Sequence, residues 1–399
     1  MIAEAPIHTL QLADWTQTMS RSVLRQMIAI VSRPGILSFA GGLPDPDLFP
    51  RVDYAQAMAG VLADDKFSLQ YRPPLAALKQ HIVQLMAQRG VTCTSEQIFL
   101  TTGAQQGLDI LSRLLLNPGG EVLLEEVIYT GMQQAIAPAQ PRILSVPTDL
   151  ETGIDVDAVE AHLWRGARPA FIYLIPDAHN PLGVSISPAK RERLVQLARA
   201  YGVPLVEDDP YGFLYYEAEP YAPLRALDAD WVFYLGSFSK IMAPALRLGW
   251  MVAPEWLIAK LTVVKEASDL ESSALTQRAV TAYLDAGHLP AHVANLRQEY
   301  GRRRDAMLAA LYRYFPAEAR WTRPRGGMFI WVELPPEVDT AVLLETAVNE
   351  AQVAFIPGYA FAVPGHVVKN CMRLTFSTCT PDMISEGIRR LGALLQGGA

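Results

Sequence analysis

The sequence has few cysteines, little excess of either charge and no long apolar run. Only Cys93, Cys371 and Cys379 occur among 399 residues, without the C-x-x-C spacing of a metal site. Such cysteines are typical of small buried side chains in a reducing compartment. The net charge of −7 predicts no basic surface for nucleic acid or for an anionic membrane. No stretch approaches the ~18 apolar residues of a membrane helix, and no signal peptide is recognisable. We therefore expect a cytoplasmic protein without a metal site.

Apolar residues are abundant and their pattern predicts an α/β fold. They make up half of the chain, which predicts two domains, or one large α/β domain with a smaller appendage. From about residue 98 to 253, short apolar runs alternate with segments of helical periodicity. This alternation favours a mainly parallel sheet that is covered by helices on both faces. The seven predicted strands are 98–102, 121–126, 142–147, 170–176, 203–209, 231–237 and 247–254.

The remaining segments suggest an N-terminal arm and a small C-terminal domain. Residues 14–33 have a helical pattern, and the Gly- and Pro-rich stretch after them predicts an extended loop. Residues 278–314 predict one or two long helices, with Arg297, Arg302, Arg303 and Arg304 on solvated faces. The tail 320–399 mixes strands with helices, which is typical of a small α+β domain.

Polar residues follow several predicted strands, where ligands bind in open parallel sheets. After strand 98–102, Gly103 permits a tight turn, and the N–H groups of Gly103, Ala104 and Gln105 begin a helix, a site suited to an anion. Asp208 and Tyr211 follow another strand and are close enough in sequence to reach one small ligand, or else they cap the next segment. Three further residues have both a functional and a purely structural interpretation: Tyr129, His179 and Asn180.

Lys240 stands out in the stretch "GSFSKIMAPALRLG", which follows the predicted strand 231–237. Burial among small and apolar residues disfavours the charged ammonium, and a neutral amine is a nucleophile suited to Schiff-base chemistry. Ser237, Ser239 and Arg247 supply hydroxyls and a guanidinium, which are groups that hold a phosphate. An aldehyde-binding lysine, a phosphate site, an acid and a phenol together indicate pyridoxal 5′-phosphate (PLP) as cofactor.

An ordered set of motifs resembles one family of PLP enzymes. The chain is similar from about residue 20 to its end to the fold-type I, class I/II aminotransferases, in particular the 2-aminoadipate and kynurenine aminotransferase subgroup. The motifs are "SRPGILSFAGGLPDPDLFP", "TTGAQQGLDIL", "NPLG", "VEDDPYG", "SFSKIMAPALRLGW", "RPRGGMFIWVEL" and "MRLTFS". The resemblance implies an aspartate aminotransferase-like fold. Its parts are an N-terminal helix and loop over the active site (1–45), a large PLP-binding domain (46–290) and a small domain (291–399).

The resemblance also implies a role for each matching residue. Lys240 matches the Schiff-base lysine that moves the substrate Cα proton, and Asp208 matches the acid paired with the pyridinium nitrogen. Tyr211 and Asn180 match the groups that bond the ring O3′, and Tyr129 the aromatic stacked on the ring. The phosphate site matches Gly103, Ala104, Gln105, Ser237, Ser239 and Arg247.

Further matches concern the substrate and a second subunit. Arg373 matches the arginine that binds the substrate α-carboxylate beside Asn180, and Gly41 lies in the loop that borders the substrate. Arg25 aligns with an arginine that meets acidic side chains in some members. Tyr71 matches a tyrosine that reaches the partner subunit's phosphate, which implies a homodimer with active sites at the interface.

The sequence departs from the family pattern at several positions. Ala104 stands where a serine is usual, Leu182 where a threonine is common, and the segment after Tyr71 is shortened by about three residues. Ala178 and His179 replace an aromatic–glutamine pair, which would place them beside the cofactor ring. Since these departures border the substrate, the amino donor is left open between acidic, aromatic and branched aliphatic side chains.

The expected activity is a ping-pong transfer of the amino group from an L-amino acid to a 2-oxo acid such as 2-oxoglutarate. Two alternatives remain open, and a third is excluded because Lys240 and Asp208 are both present. One is a β-lyase, decarboxylase or racemase reaction at the same site, because the ring stabilises several carbanions. Another is an effector-sensing domain of the kind fused to DNA-binding modules, for which few residues precede the first motif. A PLP-binding scaffold without turnover would require that Lys240 or Asp208 be missing.

Overall fold

The computed structural model describes residues 12–17, 35–217 and 220–397. All seven predicted strands are present in it and form one sheet. They are β1 (Ile98–Thr101), β2 (Glu121–Glu125), β3 (Arg142–Val146), β4 (Ile172–Leu174), β5 (Leu205–Asp208), β6 (Val232–Ser237) and β7 (Gly249–Val252). Their spatial order is β1–β7–β6–β5–β4–β2–β3. Only β7 runs antiparallel to its neighbours in this sheet, so the predicted, mainly parallel sheet is confirmed.

The sheet is buried on both faces, which explains the continuous apolar runs of its strands. Adjacent residues of β2 point to opposite sides, as the strand period of two requires. Leu124 packs with Leu108 and Leu111 of the helix Ala104–Leu115 in one core. Leu123 packs with Leu194 of the helix Pro188–Tyr201 in the core on the other face. The alternation of strands and helices along the chain therefore builds a three-layer α/β unit.

The helices cover this sheet and extend the chain beyond it. The prediction of long helices over 278–314 is confirmed, as the two helices Ala274–Asp285 and Leu289–Tyr314. The α-helices are Asp14–Gln17, Arg51–Asp64, Ala76–Gln88, Ala104–Leu115, Thr130–Ile136, Val156–Trp164, Pro188–Tyr201, Leu224–Leu227, Glu255–Asp269, Ala274–Asp285, Leu289–Tyr314, Thr340–Thr346 and Pro381–Gly397. A π-helical turn, Ala347–Ala351, continues Thr340–Thr346. Across the described ranges, no helix is long and apolar enough to span a bilayer.

A second sheet lies in the C-terminal part. It consists of β8 (Arg320–Trp321), β9 (Phe329–Glu333), β10 (Ile356–Pro357) and β11 (Cys371–Thr375), all antiparallel, in the order β8–β9–β11–β10. The strand Leu37–Ser38 pairs in parallel with Val353–Ala354, and Thr148–Asp149 pairs with Gly153–Ile154. The first pairing attaches the N-terminal segment to the C-terminal part and supports the division at residues 45 and 290, which we retain as a proposal.

The prediction of solvated arginines on the long helix is wrong for two of the four. Arg303 and Arg304 are each 5% exposed. Arg303 Nη2 lies 2.7 Å from Asp45 Oδ2, and Arg304 Nη1 lies 2.8 Å from Glu217 Oε1. Both carboxylates come from loops that are distant in sequence and fold over the helix, which its periodicity alone does not reveal. Within the predicted helix 14–33, the structure describes the helical residues Asp14–Gln17, and residues 18–33 lie outside the described ranges.

Candidate active site

One cavity of about 380 Å³ lies at the carboxyl ends of β5 and β6 and beside the helix that follows β1. It brings together residues that are up to 333 positions apart in the chain. The predicted site residues that line it are Gly41, Ala104, Gln105, Tyr129, Asn180, Asp208, Tyr211, Ser237, Ser239, Lys240, Arg247 and Arg373. The convergence follows from the sheet, whose parallel strands deliver their C-terminal residues to one edge, and from the second sheet, whose strand β11 supplies Arg373.

The Lys240 amine points into this cavity from the turn after β6. Its Nζ donates a hydrogen bond to the Gly42 carbonyl oxygen at 2.9 Å. Burial, together with the positive charges of Arg373 and Arg247, lowers the pKa of Lys240 to about 8. No ion pair among the described residues includes this amine. About a tenth of such an amine is neutral and nucleophilic at pH 7, far more than for a lysine with an ordinary pKa.

The Asp208 carboxylate closes the cavity at the end of β5. It is 3% exposed, and its Oδ2 accepts a hydrogen bond from the Tyr173 hydroxyl at 2.9 Å. Its Oδ1 is buried and has no partner in the described part of the chain. Burial raises the pKa of Asp208 to about 7, although Tyr173 and His179 lower it. A buried carboxylate oxygen without a donor is costly, so this atom fits a ligand that presents an N–H or a positive charge.

His179 and Ala178 do not line the cavity, which corrects their expected position beside the cofactor ring. The His179 ring is buried, and its Nε2 lies 3.1 Å from Glu125 Oε2. Its Nδ1 accepts from the Leu182 backbone N–H at 3.4 Å. Glu125 in turn accepts a hydrogen bond from Thr148 at 2.6 Å. The histidine therefore belongs to a buried polar cluster, as the structural interpretation of a lone histidine predicts.

The turn between β1 and the next helix forms a site suited to a phosphate. Gly103 has a φ of +81° and precedes the helix without a side-chain cap. A Cβ at Gly103 would lie 2.9 Å from Arg247 Nη2, so glycine lets the guanidinium approach the backbone. The Ser237 hydroxyl donates to Ser239 Oγ at 2.9 Å. Helix N–H groups, an arginine and two hydroxyls thus face the same end of the cavity, and together they favour an anion.

Arg373 lies on β11 and supplies a second cationic group to the cavity. It is 2% exposed, and its guanidinium donates to Asn180 Oδ1 at 2.9 Å and to the Ala40 and Gly41 carbonyl oxygens at 2.8 Å. The guanidinium carbon lies 4.2 Å from the centroid of the Phe329 ring. Burial lowers the pKa of Arg373 to about 10. None of the ion pairs among residues 12–17, 35–217 and 220–397 uses this arginine, so it is prepared for a ligand carboxylate.

Two tyrosines contribute aromatic and phenolic groups to the cavity. Tyr211 packs edge-on against Phe329, with ring centroids 5.8 Å apart and planes at 86°, and burial raises the pKa of its phenol. The Tyr129 hydroxyl donates to Gln105 Oε1 at 3.2 Å, and Gln105 Nε2 donates to the Gly131 carbonyl oxygen at 2.8 Å. This arrangement fixes Tyr129 beside the predicted phosphate turn.

One predicted residue of the described chain, Tyr71, lies outside this cavity. Tyr71 is 81% exposed and lines a separate surface depression with residues 68–72 and 271–275. Arg25 lies outside the described residues. Both predicted roles stay predictions. Sequence reasoning missed the apolar wall of the cavity, because nothing distinguishes an apolar lining residue from a core residue in the sequence. That wall consists of Ala40, Leu43, Leu108, Ile175, Pro210, Pro244, Phe329 and Ile356.

Comparison with known proteins agrees with this geometry. The family profile of aminotransferase class I and II matches residues 38–391. The 2-aminoadipate transaminase of Thermus thermophilus is 40% identical, covering 94% of each chain. The aromatic-amino-acid aminotransferase 1 of Thermococcus litoralis is 37% identical, covering 95% of this chain and 92% of its own. The solved structure of the α-aminoadipate aminotransferase from Thermus thermophilus holds N-(5′-phosphopyridoxyl)-L-leucine. Its TM-score is 0.89 at 37% identity, over 97% of each chain.

The residues present fit the cofactor of this family. The Asp208 oxygen without a partner suits a cationic ring nitrogen. The Gly103 turn, whose space a Cβ would fill, suits a phosphate. The Lys240 amine, with its lowered pKa, suits an aldehyde. The predicted family, fold and enzyme class are confirmed. The chain belongs to the class I and II aminotransferases of fold type I, which depend on pyridoxal phosphate.

Proposed function

We propose that this aminotransferase transfers the amino group of an L-amino acid with an apolar or aromatic side chain to a 2-oxo acid. The observation that carries the proposal is the arrangement of Lys240, Asp208, Arg247 and Arg373 around one cavity. Bound PLP supplies an aldehyde that condenses with amines and a ring that withdraws electrons from the carbon bearing the nitrogen. Every other element of the chemistry comes from side chains and backbone groups of the chain itself.

Lys240 is the proposed attachment point and proton carrier. The pKa of its amine is lowered to about 8. The neutral amine can therefore accept the proton that the substrate Cα loses, and it can donate this proton to the carbon that is protonated in the following step. The Gly42 carbonyl oxygen, at 2.9 Å, orients the amine within the cavity. Lys240 serves both half-reactions, because the second half-reaction is the reverse of the first and moves a proton between the same two positions.

Asp208 and Tyr211 would hold the ring, and the turn at Gly103 would hold the phosphate. The free Oδ1 of Asp208 is the acceptor available for a ring N–H. Tyr211 and Asn180 provide a phenol and an amide for the ring hydroxyl. The phosphate would meet Arg247, Ser237 and the helix N-terminus. Arg373, kept in place by Asn180 and two backbone carbonyls, would bind the α-carboxylate.

The apolar wall supports the proposed class of amino donor. Once Arg373 and Arg247 are assigned to the two anionic groups and Lys240 to the cofactor aldehyde, the described lining offers no further cation for an acidic side chain. Leu43, Phe329 and Ile356 remain beside the arginine that would bind the α-carboxylate. The solved relative that holds a phosphopyridoxyl-leucine accommodates such a side chain. The choice of 2-oxoglutarate as acceptor rests on the family resemblance.

The test is spectroscopic and kinetic. The protein reconstituted with PLP should show the visible absorption of a lysine-linked cofactor, and Lys240→Ala should lose it. Lys260→Ala, at an exposed lysine, is the matched control and should keep it. An amino acid added alone should convert the cofactor to pyridoxamine phosphate, which a β-lyase, decarboxylase or racemase does not accumulate. Leucine and phenylalanine should outperform glutamate and 2-aminoadipate as donors with 2-oxoglutarate, and the reverse order would refute the assigned donor class.

We also propose a homodimer in the cytoplasm. Tyr71 and Leu69 are 81% and 77% exposed and line a surface depression outside the chain's own cavity, and large apolar side chains exposed side by side favour a protein partner. Three free cysteines agree with a reducing compartment. If Tyr71 serves the partner's site, Tyr71→Ala and Lys240→Ala should each be inactive alone. Their mixture should regain activity, because a mixed dimer contains one site with both residues.

A further inference from the structure

The Thr102–Gly103 turn is held by all three polar groups of Thr102. The Thr102 N–H donates to Gln106 Oε1 at 2.7 Å, and the Thr102 hydroxyl donates to Asp269 Oδ2 at 2.8 Å. The Thr102 carbonyl oxygen accepts from Arg247 Nη2 at 3.2 Å. Since Arg247 also lies against Gly103, the position of Thr102 determines where the guanidinium and the helix N–H groups point.

Asp269 supports two of these three contacts, one directly and one through Gln106. Besides the Thr102 hydroxyl, its Oδ2 accepts from Gln106 Nε2 at 2.6 Å. Its Oδ1 pairs with Lys265 Nζ at 2.7 Å. Lys265 is 3% exposed and also donates to Gln106 Oε1 at 3.0 Å. Burial tends to raise the pKa of Asp269, but the hydrogen bonds from Lys265, Gln106 and Thr102 outweigh this and lower it.

We infer that Asp269 is a positioning residue for the cofactor phosphate: it holds the Thr102–Gly103 turn in the conformation that presents Arg247 and the helix N-terminus to the anion. This inference rests on the proposed function of that turn as the phosphate site. Asp269 itself does not line the cavity, so its effect must pass through Thr102 and Gln106. The carboxylate repels an anion, and only its hydrogen bonds favour phosphate binding.

The charge of Asp269 and its hydrogen bonds affect phosphate binding in opposite directions, so an experiment can separate the two effects. Removing the Asp269 charge leaves the buried Lys265 ammonium uncompensated, which by electrostatics alone would tighten phosphate binding. Loss of the turn geometry would weaken it. Thr102→Val changes no charge and leaves the Lys265–Asp269 pair intact, so it isolates the single hydrogen bond to the carboxylate and does not depend on whether Asp269→Asn folds.

The experiment measures the dissociation constants of the full-length enzyme, stripped of cofactor, for PLP, for inorganic phosphate and for pyridoxal, which lacks the phosphate. Thr102→Val should weaken PLP and phosphate binding about tenfold, the effect of one hydrogen bond to a charged group, and leave pyridoxal binding unchanged. Asp269→Asn should act in the same direction. Glu266→Gln, an exposed carboxylate on the same helix, is the charge control and should not weaken binding.

Unchanged or tighter phosphate binding in Thr102→Val would overturn the inference, as would an equal loss for PLP and pyridoxal, which would indicate general damage to the site. The failure of the proposed function is distinguishable from both outcomes. In that case the unmodified enzyme itself would bind neither PLP nor phosphate at this site, whatever residue 102 or 269 is.

Discussion

Replacing Asp208 by asparagine tests the buried carboxylate through the stability of the cofactor-free enzyme. Burial raises the pKa of Asp208 from 3.8 to about 7, although the Tyr173 hydrogen bond lowers it. One pKa unit corresponds to about 1.4 kcal/mol. In the absence of a cationic partner, the ionised carboxylate therefore destabilises the fold by about 4 kcal/mol.

The sign of the pH dependence follows from proton counts. Between pH 4 and 7 the folded state holds a proton on Asp208 that the unfolded state has lost, so the free energy of unfolding falls as the pH rises through this window. Above pH 7 this contribution is constant. The substituted asparagine cannot ionise, and its side-chain oxygen can still accept from Tyr173. We expect cofactor-free Asp208→Asn to be more stable than the parent by up to about 4 kcal/mol at pH 8, and equal to it near pH 4.

Urea unfolding of both cofactor-free proteins from pH 4 to 9 measures this difference. Asp228→Asn is the matched control, because Asp228 is also buried, at 4% exposure. Burial tends to raise its pKa, but hydrogen bonds from Trp231, Arg199 and Asp230 outweigh this and lower it, so that variant should lose stability at neutral pH. PLP should stabilise the parent more than Asp208→Asn. A variant less stable than the parent at pH 8, or a difference that does not depend on pH, would refute the reasoning.

Three further substitutions give testable predictions, each with a control variant or a control measurement. Arg373→Lys keeps the charge but loses the planar pair of donors, so kcat/KM for the amino donor should fall about 10- to 100-fold, while the dissociation constant of PLP measured by titration stays the same. Gly103→Ala and Gly90→Ala both place an alanine at a positive φ, which is strained. Only the Cβ at position 103 would also lie close to a guanidinium, at 2.9 Å from Arg247 Nη2. PLP titration should therefore show weaker binding for Gly103→Ala alone. Arg303→Ala breaks a buried ion pair and should reduce the free energy of unfolding by about 3 kcal/mol, whereas thermal and urea unfolding of Arg302→Ala, at an exposed arginine, should be almost unchanged.

The sheet was predictable because its strands are buried on both faces. Every residue of β4 and β7 is buried, so each strand appears in the sequence as an uninterrupted apolar run. The burial of Arg303 was not predictable, because its partner Asp45 lies 258 residues away. Helical periodicity describes one face of one element and contains no information about a loop that folds over the opposite face.

The polar part of the site was predictable for a related reason. Lysine, aspartate and arginine are conspicuous where a buried strand ends, and a parallel sheet brings such ends together. The apolar wall gave no such signal, and neither did Gly42, whose contribution to Lys240 is a backbone carbonyl oxygen. Substrate preference depends on these less conspicuous residues, which is why the sequence indicated the reaction class more clearly than the amino donor.

The electrostatics of the cavity support a cofactor and a substrate independently of any resemblance. Burial shifts three of its groups toward neutrality: the pKa of Asp208 rises to about 7, while those of Lys240 and Arg373 fall to about 8 and about 10. Each shift means that the charged form is deprived of hydration without a matching counter-ion in the described chain. A ligand that is cationic opposite Asp208 and anionic opposite Arg373 would reverse the first and third shifts. Two ligands bound side by side, one cationic at Asp208 and one anionic at Arg373, meet both requirements, and any coupling between their affinities is reciprocal.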